Sequence, residues 1–191
     1  YHNFGLDPMP YFEEPAPGPV STPELLDEYP LVLTTGARNW FLFHSEHRNI
    51  PRLRAGHPEP LVEIHPETAK KLGVADGDWV WVESPKDKAM RVVKVTEKLI
   101  HKNIVSADHA WWHPEGKPKN LFDVFDLAIN NEVTWTPGKS GFGSNYKCNL
   151  VKIYKVKPEE MTDEAKQSRF EPMHSDGYDP IAELEKNREA K

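Results

Sequence analysis

The chain has 191 residues, with 24 lysines and arginines against 30 aspartates and glutamates, for a net charge of -6. Basic residues scattered on an acidic background argue against general nucleic-acid binding, which favours a basic stripe. A single cysteine, Cys148, excludes an internal disulfide and any Cys-only metal or iron–sulfur site within the chain. No apolar run approaches the roughly 20 residues that a membrane helix needs.

Mean hydropathy is low, at -0.69, and the two ends account for much of it. Residues 1–30 hold seven prolines and read as an extended arm lying on something else, with Tyr1, Phe4, Tyr11 and Phe12 as anchoring aromatics. Residues 158–191 are rich in Glu, Lys and Asp and read as a charged tail. The foldable core is therefore placed at 31–157, a normal size for one hydrophobic core. Beginning at Tyr1 rather than methionine, the chain reads as a processed piece or an expressed fragment.

In chain order, Ser21-Thr22-Pro23-Glu24 predicts a short helix, capped by Ser21 or Thr22 and stopped before Pro30. Leu31–Thr34 predicts the first strand. Pro60–Ile64 predicts the second, with Val62 and Ile64 on one face. His65–Gly73 predicts a two-turn helix, with Pro66 near its first position and Gly73 at its C-terminal cap. An Asp-Gly turn at 76–77 leads to strand Trp79–Glu83, which returns through Ser84–Lys88 as the hairpin partner Met90–Thr96. Ile104–Ser106 and Asn149–Val156 complete the strands. The sum is a β-rich domain with one or two short helices, compatible with a small barrel.

Chemistry concentrates after the first strand. From Arg38 to His57 there are four arginines and three histidines against one acid, Glu46. Positive charge gathered behind a Gly-containing strand exit suits a phosphorylated or otherwise anionic ligand. The alternative is a set of solvated arginines paired with Glu59, Glu63 or Glu67.

The runs YPLVLTTGAR (29–38), FHSEHRNIP (43–51), EIHPETAKKLGVADGDWVWVESP (63–85) and HAWWHPE (109–115) together resemble the C-terminal cofactor-binding domain of the molybdopterin oxidoreductases, the dimethyl sulfoxide reductase superfamily. The resemblance spans about residues 5–156. It implies a mainly β fold: a six-stranded double-psi β-barrel with short helices and extended N- and C-terminal arms. The implied cofactor is molybdopterin guanine dinucleotide carrying molybdenum or tungsten, with any iron–sulfur cluster and the metal's protein ligand in other domains. Implied partners are the remaining domains of a catalytic subunit and an iron–sulfur electron-transfer subunit, with no nucleic acid and no direct membrane insertion.

The resemblance places Thr34, Thr35, Gly36, Arg38, His44, Ser45 and Arg48 along the pterin and diphosphate. His109, and Asn145, Tyr146 and Lys147, belong to further loops at the same face. Residue chemistry agrees with these placements. Gly36 permits close backbone approach to a bulky ligand. Arg38 can grip phosphate in bidentate fashion, and Lys147 adds charge. Thr34, Thr35, His44, Ser45 and Asn145 offer donors and acceptors for an amide-like pterin edge. No metal ligand or catalytic residue is assigned, so the chain alone is expected to hold cofactor rather than turn over substrate. The alternatives are a free-standing double-psi barrel acting as an interaction module, and the cofactor domain of a non-redox hydratase or transhydroxylase.

His44-x-x-His47 and His109-x-x-x-His113 have metal-ligand spacing, but neither segment reads as helical and no third ligand completes a set. Trp79 and Trp81 share one strand face and read as packing residues. Of Trp111 and Trp112, one is expected to pack while the other borders the cofactor. Asp76-Gly77-Asp78 is a turn, and Cys148 reads as buried and inert.

Overall fold

The computed structural model describes residues 1–9, 12–35, 39–44, 46–99, 101–109, 111, 126–131, 133 and 147–168. Strands form where the sequence alternates or runs apolar: β1 (Leu31–Thr35), β2 (Leu61–Ile64), β3 (Trp79–Glu83), β4 (Lys88–Val95), β5 (Ile104–Ala107) and β6 (Asn149–Lys155). They close into a barrel in the order β1-β5-β2-β4-β3-β6. The β1–β5 and β2–β4 pairs are parallel, and the other four are antiparallel. This is the expected mainly β, six-stranded double-psi β-barrel. Parallel partners cannot be joined by tight turns, and both parallel pairs here join strands that are not consecutive in the chain.

Alternation along each strand decides what fills the interior. Leu31 and Leu33 of β1, Val62 and Ile64 of β2, Val80 and Val82 of β3, and Val105 and Ala107 of β5 form one buried core. The residues between Val80 and Val82 and before them face the other way. Trp81 and the half-buried Trp79 join Leu42, Met90, Trp111, Leu127 and Ala165 in a second cluster outside the barrel. The shared face expected for Trp79 and Trp81 is therefore a packing face.

Among the described residues, three α-helices flank the strands. In α2 (Pro66–Leu72), Nδ1 of the capping His65 accepts the Glu67 N–H at 3.1 Å, satisfying an otherwise orphaned donor. Gly73 ends it in the left-handed region (φ 68), with its N–H turned back to the Ala69 and Lys70 carbonyls. Helix α1 (Pro51–Gly56) is an element that the sequence reading left unassigned. Proline's missing N–H costs nothing at a first helical position, so Pro51 starts the helix. A Cβ on Gly56 would collide with the Phe41 ring, so that ring rests directly on the helix backbone.

Past β6 the chain stays on the barrel. A 3₁₀ turn at Pro158–Glu160 leads to α3 (Asp163–Ser168), whose Ala165 is buried in the outer cluster. At the other end, the predicted helix near Pro23 is a single 3₁₀ turn, Pro23–Leu25. Thr22 precedes it, but its hydroxyl bonds to Gly18 rather than capping the turn. Of the arm's aromatics, Tyr1, Phe4 and Phe12 are exposed, and Tyr11 lies outside the described residues. The arm is fastened near Tyr29, where the Lys152 ammonium sits 2.9 Å from both Glu28 and Glu83 and 4.8 Å from the centre of the Tyr29 ring. Lys152→Met should make the peptide bonds before Leu31 more sensitive to limited proteolysis while the barrel stays intact. Unchanged cleavage kinetics would show that the clasp does not hold the arm.

Candidate cofactor-binding rim

Strand register brings the candidate residues to one rim. Thr35 lies beside Ala107 across the parallel β1–β5 pair, and Leu33 faces Asn149 across the antiparallel β1–β6 pair. Val62 faces Ala107 across β2–β5. The carboxyl ends of β1 and β5 thus meet the amino ends of β2 and β6. Thr34 and Thr35 close β1, Asp108 and His109 follow β5, and Lys147 precedes β6. Lys147 donates through Nζ to the Thr35 carbonyl, which fixes its ammonium at this rim.

The loop after β1 folds back to the same place. His44 Nδ1 and His109 Nε2 share a hydrogen bond, with ring centroids 4.4 Å apart in an edge-to-face arrangement. A shared proton requires one of the two rings to supply a bare nitrogen, so both cannot be cationic while the bond exists. Burial pushes the His109 pKa down, and the neighbouring His44, Lys147 and Arg91 charges push it further against the opposing pull of Asp108. The His109 ring is accordingly neutral at neutral pH, and its buried Nδ1 has no partner among the described residues. His44 and His47 both take positive φ, 53 and 71, a conformation worth about 1–3 kcal/mol of strain per residue outside glycine.

Beneath His109 lies a buried ionic cluster. Asp108 is 9% exposed and Arg91 is fully buried. Arg91 donates from Nη1 to the Asp108 carboxylate at 3.1 Å and from Nη2 to the Asp108 backbone carbonyl at 2.9 Å. His57 Nε2 lies 2.6 Å from the other carboxylate oxygen. Burial alone would raise the Asp108 pKa, but the His57 hydrogen bond and the Arg91 charge outweigh it and hold the carboxyl below its ordinary value. Asp108 and His57 also line a cavity of about 200 Å³ walled by Trp40 and Phe41.

Arg48 and Arg54 do something else. Their guanidinium carbons stand 4.8 and 4.5 Å from the centre of the Trp111 ring, and both side chains are buried. Arg54 Nε also donates to the Pro58 carbonyl at 2.9 Å. Neither is thus a solvated loop arginine. Trp111 is a packing residue, buried in the outer cluster.

Of the candidate contacts, the fold brings together Thr34, Thr35, His44, His109 and Lys147, and it sets Arg48 against Trp111. Gly36, Arg38, Ser45, Asn145 and Tyr146 lie outside the described residues, as do Trp112 and His113. Cys148, expected buried, is half-buried; burial, with the Glu14 charge nearby, pushes its thiol pKa up. Sequence reasoning passed over Arg91, Asp108 and His57. A signal for Arg91 was present, because it shares the strand face of Ala89 and Val93, where an unpaired charge could not be buried.

The donor set suits an anionic, hydrogen-bonding cofactor: a fixed ammonium, an imidazole whose buried nitrogen has no partner among the described residues, and strand-end hydroxyls. Comparisons with known proteins agree. Residues 31–167 match the family model described as the molydopterin dinucleotide binding domain. The chain is 36% identical over 151 residues to a dopamine dehydroxylase of Eggerthella lenta, covering 79% of this chain and 15% of that protein. It is 35% identical over 124 residues to the acetylene hydratase of Syntrophotalea acetylenica, covering 64% of this chain and 17% of that protein. The solved structure of acetylene hydratase from Pelobacter acetylenicus superposes with a TM-score of 0.71 at 28% identity, covering 81% of this chain and 22% of that one. The chain thus spans less than a fifth of the length of these curated relatives. It belongs to the molybdopterin dinucleotide-binding domain family of molybdoenzyme catalytic subunits, whose cofactor is molybdopterin guanine dinucleotide with molybdenum or tungsten.

Proposed function

We propose that the β1–β5 rim is the surface on which this domain holds the dinucleotide. The observation that carries the reading is the convergence of Lys147 and the His44–His109 pair on the end of β1. In it, the Lys147 ammonium faces the cofactor's diphosphate. His109, kept neutral by its burial, offers Nδ1 to a pterin donor or acceptor according to tautomer. Thr34 and Thr35 supply hydroxyls. Arg38 and Ser45, in the connection from β1 to α1, and Asn145 and Tyr146, in the connection into β6, add further contacts to the cofactor. Gly36 lets the backbone come close.

The bound group would supply two-electron redox or oxygen-atom transfer at its metal, and this chain would keep that group in position and shield it from water. Its partners would be the remaining domains of a catalytic subunit and an iron–sulfur electron-transfer subunit. The hydratase among the relatives makes a non-redox subunit a second reading. The clustered rim weighs against a stand-alone interaction module, which needs no cationic cradle.

The test is the cofactor content of the full-length subunit. Hydrogen bonds to charged groups are worth about 1.5–3 kcal/mol, so Arg38→Ala and Lys147→Met should each weaken cofactor retention by about 10–100-fold. Molybdenum or tungsten and guanine nucleotide would be measured together after gel filtration. Full content in both variants would overturn the assignment of the rim.

A further inference from the structure

We propose that Asp108, gripped by Arg91 and His57, is a positioning residue that sets how His109 is presented to the cofactor; this rests on the reading of the rim given above. The two Arg91 amino groups grip different parts of one residue, the Asp108 side chain at 3.1 Å and its main-chain carbonyl at 2.9 Å. That carbonyl belongs to the peptide unit leading into His109. Holding it fixes the plane from which the His109 backbone departs. From the other side, His57 at the end of α1 lies 2.6 Å from the second carboxylate oxygen. A single carboxylate therefore ties β4, the exit of β5 and the connection into β2 at the point where His109 leaves the barrel.

Stability alone does not require this arrangement. Well-packed apolar side chains often serve as well as a buried ion pair. What the ionic grip adds is direction, since each bond has a preferred angle and apolar contacts have none. His109 itself is held weakly by comparison: one hydrogen bond to a histidine in a strained loop conformation, with Nδ1 lacking a partner among the described residues. The charged or titratable groups that face His109 are His44, Lys147, Arg91 and Asp108. Of these, Asp108 alone is joined to it through the backbone.

The experiment is a double-mutant cycle in the full-length holo-subunit, reading the rate at which cofactor is lost on dilution. Outer partners of a bound group typically contribute 10–100-fold to its affinity. Asp108→Asn should therefore speed cofactor loss by about ten-fold, His109→Ala by a similar factor, and the double variant no more than His109→Ala alone. Losses that multiply in the double variant would overturn the proposal, because Asp108 would then act on the fold rather than through His109. An unchanged rate in Asp108→Asn would overturn it as well. If that variant does not accumulate, His57→Gln removes one arm of the cluster and should show the same non-additivity with His109→Ala. The rim reading fails separately: if His109→Ala and Lys147→Met both keep their cofactor, the rim and the positioning role fall together. If they lose it while the Asp108 and His109 effects multiply, only the positioning role falls.

Discussion

Arg91→Met is expected to destabilise the domain by about 3–5 kcal/mol, the usual cost of removing one partner from a buried ion pair. Methionine replaces the apolar stem of the side chain and would pack, so loss of volume is a small part of the effect. The damage comes from Asp108, which would keep its charge in a buried site with only His57 to compensate. Arg91→Met combined with Asp108→Leu should recover much of the loss, because both charges then leave the interior together. The same cluster sets a dependence on pH. The Asp108 carboxyl is held below its ordinary value of 3.8, so the folded form favours the ionised group. Its contribution is fully present above about pH 4 and is lost as pH falls through the lowered value. Denaturant unfolding of wild type and Arg91→Met at neutral and acid pH measures both effects. A difference under about 1 kcal/mol at neutral pH would show that the cluster is better solvated than its burial indicates.

Trp111→Ala should cost about 3–5 kcal/mol, as large-to-small changes at fully buried aromatic positions do. Trp111 is completely buried, and two buried guanidiniums lie against its ring. Removing the ring opens a void and also strips Arg48 and Arg54 of their shared platform, each such contact being worth about 0.5–2 kcal/mol. Trp111→Phe separates stacking from hydrogen bonding. The indole N–H has no acceptor among the described residues, so phenylalanine should retain most of the stability. If Trp111→Phe were as damaging as Trp111→Ala, the indole nitrogen rather than the ring face would be the important group.

Much of the barrel was legible because local signals and tertiary demands coincide there. Helix α2 carries its own start in Pro66 and its own stop in Gly73, and both act within one turn. Strand β3 alternates valine with tryptophan, and the two faces bury in two different clusters, as a period of two requires. Helix α1 was missed because Pro51 closes one kind of segment and opens another, and nothing nearby in sequence decides which. Packing decides it: the Phe41 ring covers the backbone at Gly56.

The rim was legible in part for a different reason. His44, His109 and Lys147 are polar residues in loops, where chemistry is the natural reading. Arg48 carries the same kind of charge in the same loop, yet it is buried against an aromatic ring distant in sequence. The Arg91–Asp108–His57 cluster joins three elements, so no window of sequence contains it. Only alternation along β4 marked Arg91 as an inward charge in need of a partner.

The pairing order of the barrel also bears on how the chain is made. The first strand finds its neighbours only in β5 and β6, the last two to be synthesised. Nascent β1 must therefore leave the ribosome with both edges open and wait until almost the whole domain has emerged. Release of a chain ending before residue 149 would strand β1 and β3 without β6, leaving an open sheet prone to aggregate during synthesis.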